Sequence, residues 1–201
     1  MTSPWHATQR PMRILDFDLE NRPLSYLGQD WTSAEITAIG WSWIGSDKVE
    51  VLLLQREGFY QDDAGVLYPP EVALQNFRDT LLSADMVTGH YIRRHDLPIL
   101  NSALIEYGLP TLTPILAQDT QRDMVRRKDL STSQENLASM FGMPEAKHHM
   151  TMAEWRKANR LSPEGMAGAR KRVVDDVIQH MALREEMLKR GLLRAPRIWY
   201  P

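Results

Sequence analysis

Residues 15 to 20 read Leu-Asp-Phe-Asp-Leu-Glu, apolar and acidic in strict alternation. A period of two marks a β-strand with one buried and one polar face, so Arg13 to Glu20 is expected to be a strand. Leu15, Phe17 and Leu19 turn into a core, and Asp16, Asp18 and Glu20 share the opposite face. Asn21-Arg22-Pro23 carries turn chemistry and is expected to end the strand. Acids at i and i+2 can touch one cation, and without one they raise each other's pKa. They can equally be the solvated face of an edge strand, and alternation alone leaves both readings open.

Other segments set this strand in an α/β order. Residues 35 to 44 and 49 to 54 read as two strands joined by Gly45-Ser46-Asp47-Lys48, a hairpin turn. Gly58 to Pro70 reads as a polar loop. An amphipathic stretch with Val72, Leu74, Phe77, Leu81 and Leu82 precedes Val87 to Leu100, which reads as strand, turn and helix with Asp96 near the helix start. After the break at Gly108-Leu109-Pro110, Ile115 to Thr120 reads as a strand ending Asp119-Thr120, and Ser133 to Gly142 as a helix stopped by glycine. Val173 to Leu183 has helical spacing. Val173, Val177, Leu183 and Leu188 form its candidate buried stripe, and it carries Asp175 and Asp176. Strands first and alternation afterwards predict a five-stranded mixed sheet flanked by helices. Residues 124 to 133 and 143 to 165, rich in charge and breakers, are expected to be mobile loops.

In this order the motifs resemble those of the DnaQ-like (DEDD) exonucleases of the ribonuclease H-like fold. Asp18-Leu19-Glu20 is similar to the family's Asp-x-Glu on the first strand. Gly89-His90-Tyr91 followed by Asp96-Leu97-Pro98 is similar to its Gly-His-Asn and Asp-Leu-Pro. Asp119-Thr120, Phe141-Gly142 and Asp176-Val177 also resemble family motifs, with Asp175 the alternative last acid. Tyr91 departs from the usual Asn and His95 from the usual apolar aromatic. The resemblance spans about residues 13 to 190, and short motifs in a fixed order are stronger together than singly.

The resemblance implies a domain over residues 13 to 201, after an N-terminal extension of residues 1 to 12, with a ribonuclease H-like α/β fold. It implies a metal-dependent 3′–5′ exonuclease that releases nucleoside monophosphates by two-metal hydrolysis. Asp18 would bridge both ions, Glu20 and Asp176 would complete one shell, and Asp96 would help hold the other. Oxygen-only ligands and a phosphate substrate suit Mg²⁺ or Mn²⁺. Asp16 is a spare acid that tunes the site or faces solvent.

One family part is replaced. Active members carry a Tyr four residues before the last acid, or a His five before. Counted from Asp176 those positions are Arg172 and Lys171; counted from Asp175 they are Lys171 and Arg170. Arginine cannot serve as a base, and lysine could only if strongly desolvated. Three outcomes stay open: the metals alone generate the nucleophile, a histidine such as His148 or His149 serves, or catalysis is lost and binding kept. His90, Tyr91, Arg172, Lys171 and His149 are the candidate substrate-binding residues. The loop with Lys147, His148 and His149 reads first as an exposed basic loop, which with Arg156 could touch substrate phosphate, and His180, one turn after Asp176, as a supporting or a solvent-facing residue. The Trp and Met residues show no regular spacing and are assigned no chemistry.

Composition bounds the remaining classes. The 201 residues suffice for a full core, and the absence of cysteine excludes disulfides and thiolate zinc. Met1 to Arg10 holds no apolar run of the kind a signal peptide or anchor needs, so cytoplasm is the expected compartment. Net charge is −2, but cations gather at Arg122, Arg126, Arg127 and Lys128, and again at Arg156, Lys157, Arg160, Arg170, Lys171 and Arg172. Such patches are compatible with a nucleic-acid partner, a single-stranded 3′ end with DNA favoured, and with a polymerase or repair protein presenting it. A non-catalytic nucleic-acid-binding domain and an endonuclease or resolvase of the same fold are the alternatives.

Overall fold

The structure, a computed structural model, describes residues 10–24, 34–125, 129–143 and 149–201. Most of the expected N-terminal extension, the run Arg126-Arg127-Lys128, and Lys147 and His148 lie outside these residues.

The expected first strand is β1, Ile14–Pro23. It pairs antiparallel with β2, Ala34–Trp43, which pairs antiparallel with β3, Glu50–Leu54. Next come β4, Tyr60–Asp62, β5, Leu67–Tyr68, helix α1, Pro70–Leu82, β6, Met86–Gly89, and α2, Asp96–Glu106. The chain continues through β7, Ile115–Asp119, α3, Gln134–Met140, α4, Met152–Asn159, α5, Pro163–Lys189, and β8, Arg197–Trp199. All eight strands form one mixed sheet in the order β5-β4-β3-β2-β1-β6-β7-β8, with the β1–β6 and β6–β7 pairs parallel. The fold is α/β with the mixed sheet flanked by helices, as expected of a ribonuclease H-like protein.

Four details differ from the sequence expectations. The sheet has eight strands where five were expected. The stretch read as a loop from Gly58 to Pro70 contributes the β4–β5 hairpin, in which the Asp62 carboxylate accepts from the backbone N–H of Ala64 and Val66 at 2.9 and 2.8 Å. Asn21-Arg22-Pro23 does not end β1: the register shifts between Glu20 and Asn21, and pairing continues to Pro23. An Arg22–Glu35 ion pair across the strands and a 2.9 Å bond from Arg22 to the Asn159 carbonyl hold it there, while proline is tolerated at a strand's end. Much of the expected loop over 143 to 165 is helix, because Thr151 and Glu154 form a reciprocal capping box on α4 and Ser162 caps α5 ahead of Pro163.

β1 divides the two sides of the core. Leu15, Phe17 and Leu19 pack with Leu74, Phe77 and Leu81 of α1 and Leu97, Leu100 and Leu104 of α2. The acidic face is covered by α5, which crosses β1 and β2. Gly40 of β2 permits the close crossing, since a Cβ there would lie 2.9 Å from Val173 Cγ2. Val173, Val177 and Leu183 are fully buried as the stripe predicts, but Leu188 is exposed and Met187 takes the buried position. Among the described residues, no helix is long and apolar enough to cross a membrane.

Candidate metal centre

Where α5 crosses β1, two periodicities come into step. Alternate residues of a strand are about 6.7 Å apart, and residues four apart on a helix rise about 6 Å. Asp16, Asp18 and Glu20 therefore meet successive rungs of α5 running the other way. Asp16 meets His180 at 2.6 Å, Asp18 comes together with Asp176, and Glu20 meets Arg172 at 2.7 Å.

The middle and outer rungs form an acidic cluster. One carboxylate oxygen each from Asp18, Glu20 and Asp176 lies within 4.8 Å of the others. Asp176 is buried and the other two are half-buried. Asp176 stands in the cluster, while Asp175 points aside to Lys171 at 2.8 Å. Arg172 Nε donates to Glu20 at 2.7 Å, and Nη2 lies 3.5 Å from Asp176. Burial alone would lower the Arg172 pKa, but the charges of Glu20, Asp176 and Asp18 prevail and raise it.

Asp96 lines the same cleft of about 310 Å³, which these groups share with His90, Tyr91, His95, Gln121, Ser133 and Gln134. It is buried at the start of α2, and its Oδ1 accepts from the backbone N–H of Leu19, between Asp18 and Glu20, at 3.0 Å. Its Oδ2 is 3.5 Å from His95 Nδ1. The hydrogen bond to Asp96 raises the His95 pKa, with the charges of Asp96 and Glu20 adding and burial opposing.

A second buried carboxylate shapes the loop that delivers Asp96. Asp119, at the end of β7, accepts from the backbone N–H of Tyr91 at 3.0 Å, Arg93 at 3.1 Å, Gln121 at 3.1 Å and Arg122 at 3.0 Å. Burial raises its pKa, against those N–H groups and Arg93. The loop leaves β6 through Gly89, where a Cβ would collide with Ile92 and lie 2.8 Å from the Phe17 carbonyl oxygen. Tyr91 then takes φ 69°, costly for a side chain of its size, and is left exposed at the cleft. Asp119 thus positions the loop.

Behind the cluster runs a chain of hydrogen bonds, buried at Asp16, His180 and Thr120 and ending at the half-buried His90. His180 Nδ1 meets Asp16 at 2.6 Å, its Nε2 meets Thr120 Oγ1 at 2.9 Å, and Thr120 Oγ1 meets His90 Nδ1 at 2.9 Å. Asp16 is buried and does not face solvent; burial raises its pKa against the nearby His180 and Arg184. His180 is likewise buried. The sequence signals for this chain were the third acid on the β1 face and a histidine one turn beyond Asp176, each too common alone to assign.

Two expected substrate-binding residues stand elsewhere. Lys171 is exposed and paired with Asp175, and the exposed His149 lies 3.5 Å from Glu135; neither lines the cleft. His90, Tyr91 and Arg172 do. Of the second cationic group, Arg170 is bound to Asp63 at 2.5 Å. The cluster is all carboxylate oxygen, the donor set a hard divalent cation requires, so Asp18, Glu20 and Asp176 could hold a metal ion.

No family model matches the sequence, and no curated protein matches it. Among solved structures, the fold is similar to the family B DNA polymerase from the hyperthermophilic archaeon Pyrobaculum calidifontis, with a TM-score of 0.60 and 17% sequence identity. The match covers 89% of this chain and only 25% of the polymerase, so the chain spans about a quarter of that protein's length. The likeness is one of fold.

Proposed function

We propose that the protein is a metal-dependent 3′–5′ exonuclease that hydrolyses phosphodiester bonds of single-stranded nucleic acid, DNA being favoured, and releases nucleoside monophosphates. The observation that carries this reading is the meeting of Asp18, Glu20 and Asp176 within 4.8 Å, with Asp96 lining the same cleft. Four carboxylates in one cleft repel one another unless cations answer them. Two divalent cations, Mg²⁺ or Mn²⁺, would supply the positive charge for phosphate and the acidity for an attacking water. In this reading Asp18, Glu20, Asp176 and Asp96 would hold the ions. Leu19 N–H orients the Asp96 carboxylate, and the Asp119-held loop keeps it against β1. Tyr91 and His90 at the cleft meet the terminal nucleotide. A family B polymerase acts on DNA, which supports DNA as substrate and a polymerase as the partner that presents the strand.

One observation favours a second reading, binding without turnover. Arg172 stands one turn before Asp176 with its guanidinium on Glu20 and Asp176, and it cannot take a proton from water.

Incubation with 5′-labelled single-stranded DNA and RNA, in Mg²⁺, Mn²⁺ and EDTA beside Asp18→Asn, separates the two. A metal-dependent ladder shortening from the 3′ end, lost in the variant, is the expected result. Bound but intact strands in every metal would establish the binding-only protein, and opening of circular DNA would establish an endonuclease.

A further inference from the structure

The Arg172 guanidinium is held by three residues: Glu20 at 2.7 Å, Asp176 at 3.5 Å, and Trp155 of α4, whose ring centroid lies 5.4 Å from the guanidinium carbon. α4 is fixed against α5, since a Cβ at Gly165 would collide with the backbone of Lys157 and Ala158. The side chain is only one-fifth exposed. A positive charge stacked on an indole and bonded to a carboxylate is held by both, with screening reduced by burial.

Glu20 and Asp176 are also two of the three groups whose oxygens converge. Arg172 Nε–H is directed at Glu20 Oε1, so that oxygen cannot give its full charge to a second cation at the same time. A lysine or histidine could yield by losing its proton. A guanidinium keeps its charge at every ordinary pH and can yield only by moving.

We propose that Arg172 is a built-in counter-ion of the carboxylate cluster, which a divalent cation must displace from Glu20 and Asp176 in order to bind. The inference rests on the metal reading above and assigns Arg172 a function that the missing Tyr or His does not: it sets the metal concentration at which the site fills. It is a positioning residue, acting through the two carboxylates.

The test is calorimetric titration with Mn²⁺ alone, without substrate, on wild type, Arg172→Met, Arg172→Lys and Asp18→Asn, with thermal melts in EDTA and in Mn²⁺. Arg172→Met removes the charge and keeps much of the apolar stem over Trp155. Its Mn²⁺ affinity is expected to rise about tenfold, while Arg172→Lys, a cation that can yield by losing its proton, falls between wild type and Arg172→Met. In EDTA Arg172→Met melts lower than wild type, and Mn²⁺ raises its melting temperature by more. Should Arg172→Met fail to fold in EDTA, Trp155→Leu removes the ring that holds the guanidinium and is expected to tighten Mn²⁺ binding in the same direction. If Mn²⁺ binds wild type but not Asp18→Asn, the metal centre stands, and an Arg172→Met affinity equal to or weaker than wild type overturns the counter-ion alone. If Mn²⁺ binds none of the proteins, both the counter-ion and the metal reading fall.

Discussion

The two ends of the β1 acid row face the same way and are built from the same residue types, yet they live in opposite surroundings. At one end Asp16 is sealed, 1% exposed, and answered by His180, a neighbour that leads on to Thr120 and His90. At the other end Asp18 and Glu20 open onto the cleft, where Asp176, Asp96 and Arg172 gather. Both ends sit beneath α5, and what separates them is which rung of the helix arrives. An imidazole held at both ring nitrogens, by Asp16 and by Thr120, anchors the buried acid, whereas carboxylate against carboxylate makes a site that attracts cations. One strand pattern thus yields a structural anchor and a candidate metal centre about 7 Å apart.

Substitutions at the two ends should therefore fail differently. Asp176→Asn is expected to cost the most in function: an interaction of several kcal/mol with metal and phosphate corresponds to about a thousandfold loss of rate. Its melting temperature without metal should hold or rise, since a like charge is removed. Single-turnover assays beside a melt check both, and a fall in stability as large as the fall in rate would erase the distinction between the ends. His180→Ala should do the reverse, costing about 3 kcal/mol in urea denaturation because it leaves Asp16 buried without its partner. A loss under ~1 kcal/mol would show that Asp16 does not depend on the histidine.

Gly89→Ala tests what connects the ends, because the loop from Gly89 carries both His90 and Asp96. A Cβ 2.8 Å from the Phe17 carbonyl and in collision with Ile92 should cost about 2 kcal/mol. An unchanged denaturation midpoint would mean that the loop has freedom the packing does not suggest.

The smallest effect concerns pH. Asp85 accepts from the Arg13 backbone N–H at 2.7 Å, just ahead of β1, and that bond, then Arg10, holds its pKa below the ordinary 3.8 against burial. Its contribution is present above that value and disappears as pH falls through the folded-state pKa. Asp16 acts with the opposite sign: its raised pKa contributes stability below 3.8 that is lost as pH rises through the folded-state value. Melting curves of wild type and Asp85→Asn should differ by a constant amount at neutral pH and converge on acidification. Curves that stay apart in acid would exclude the Arg13–Asp85 bond as the source.

Legibility followed the range of the interaction. The period of two in β1, the turn at residues 45 to 48 and the stripe of Val173, Val177 and Leu183 are local consequences of backbone geometry, and the fold stands as they predict. The β4–β5 hairpin escaped because β4 is held by its pairing with β3, and the continuation of β1 through Pro23 because Glu35 and the Asn159 carbonyl sustain it. Lys171 and Arg172 are adjacent cations in the sequence, and one turns to Asp175 while its neighbour turns into the cluster. Only the helix phase against the sheet separates them.

The amino-acid sequence by itself determined the strand faces, the helix stripe and the acids available, because side-chain direction follows from the periods 2 and 3.6 alone. Tertiary structure decided which acids meet and what answers each. That choice belongs to the crossing of α5 over β1, where a helix rung and a strand repeat of nearly equal length place His180 on Asp16, Asp176 on Asp18 and Arg172 on Glu20.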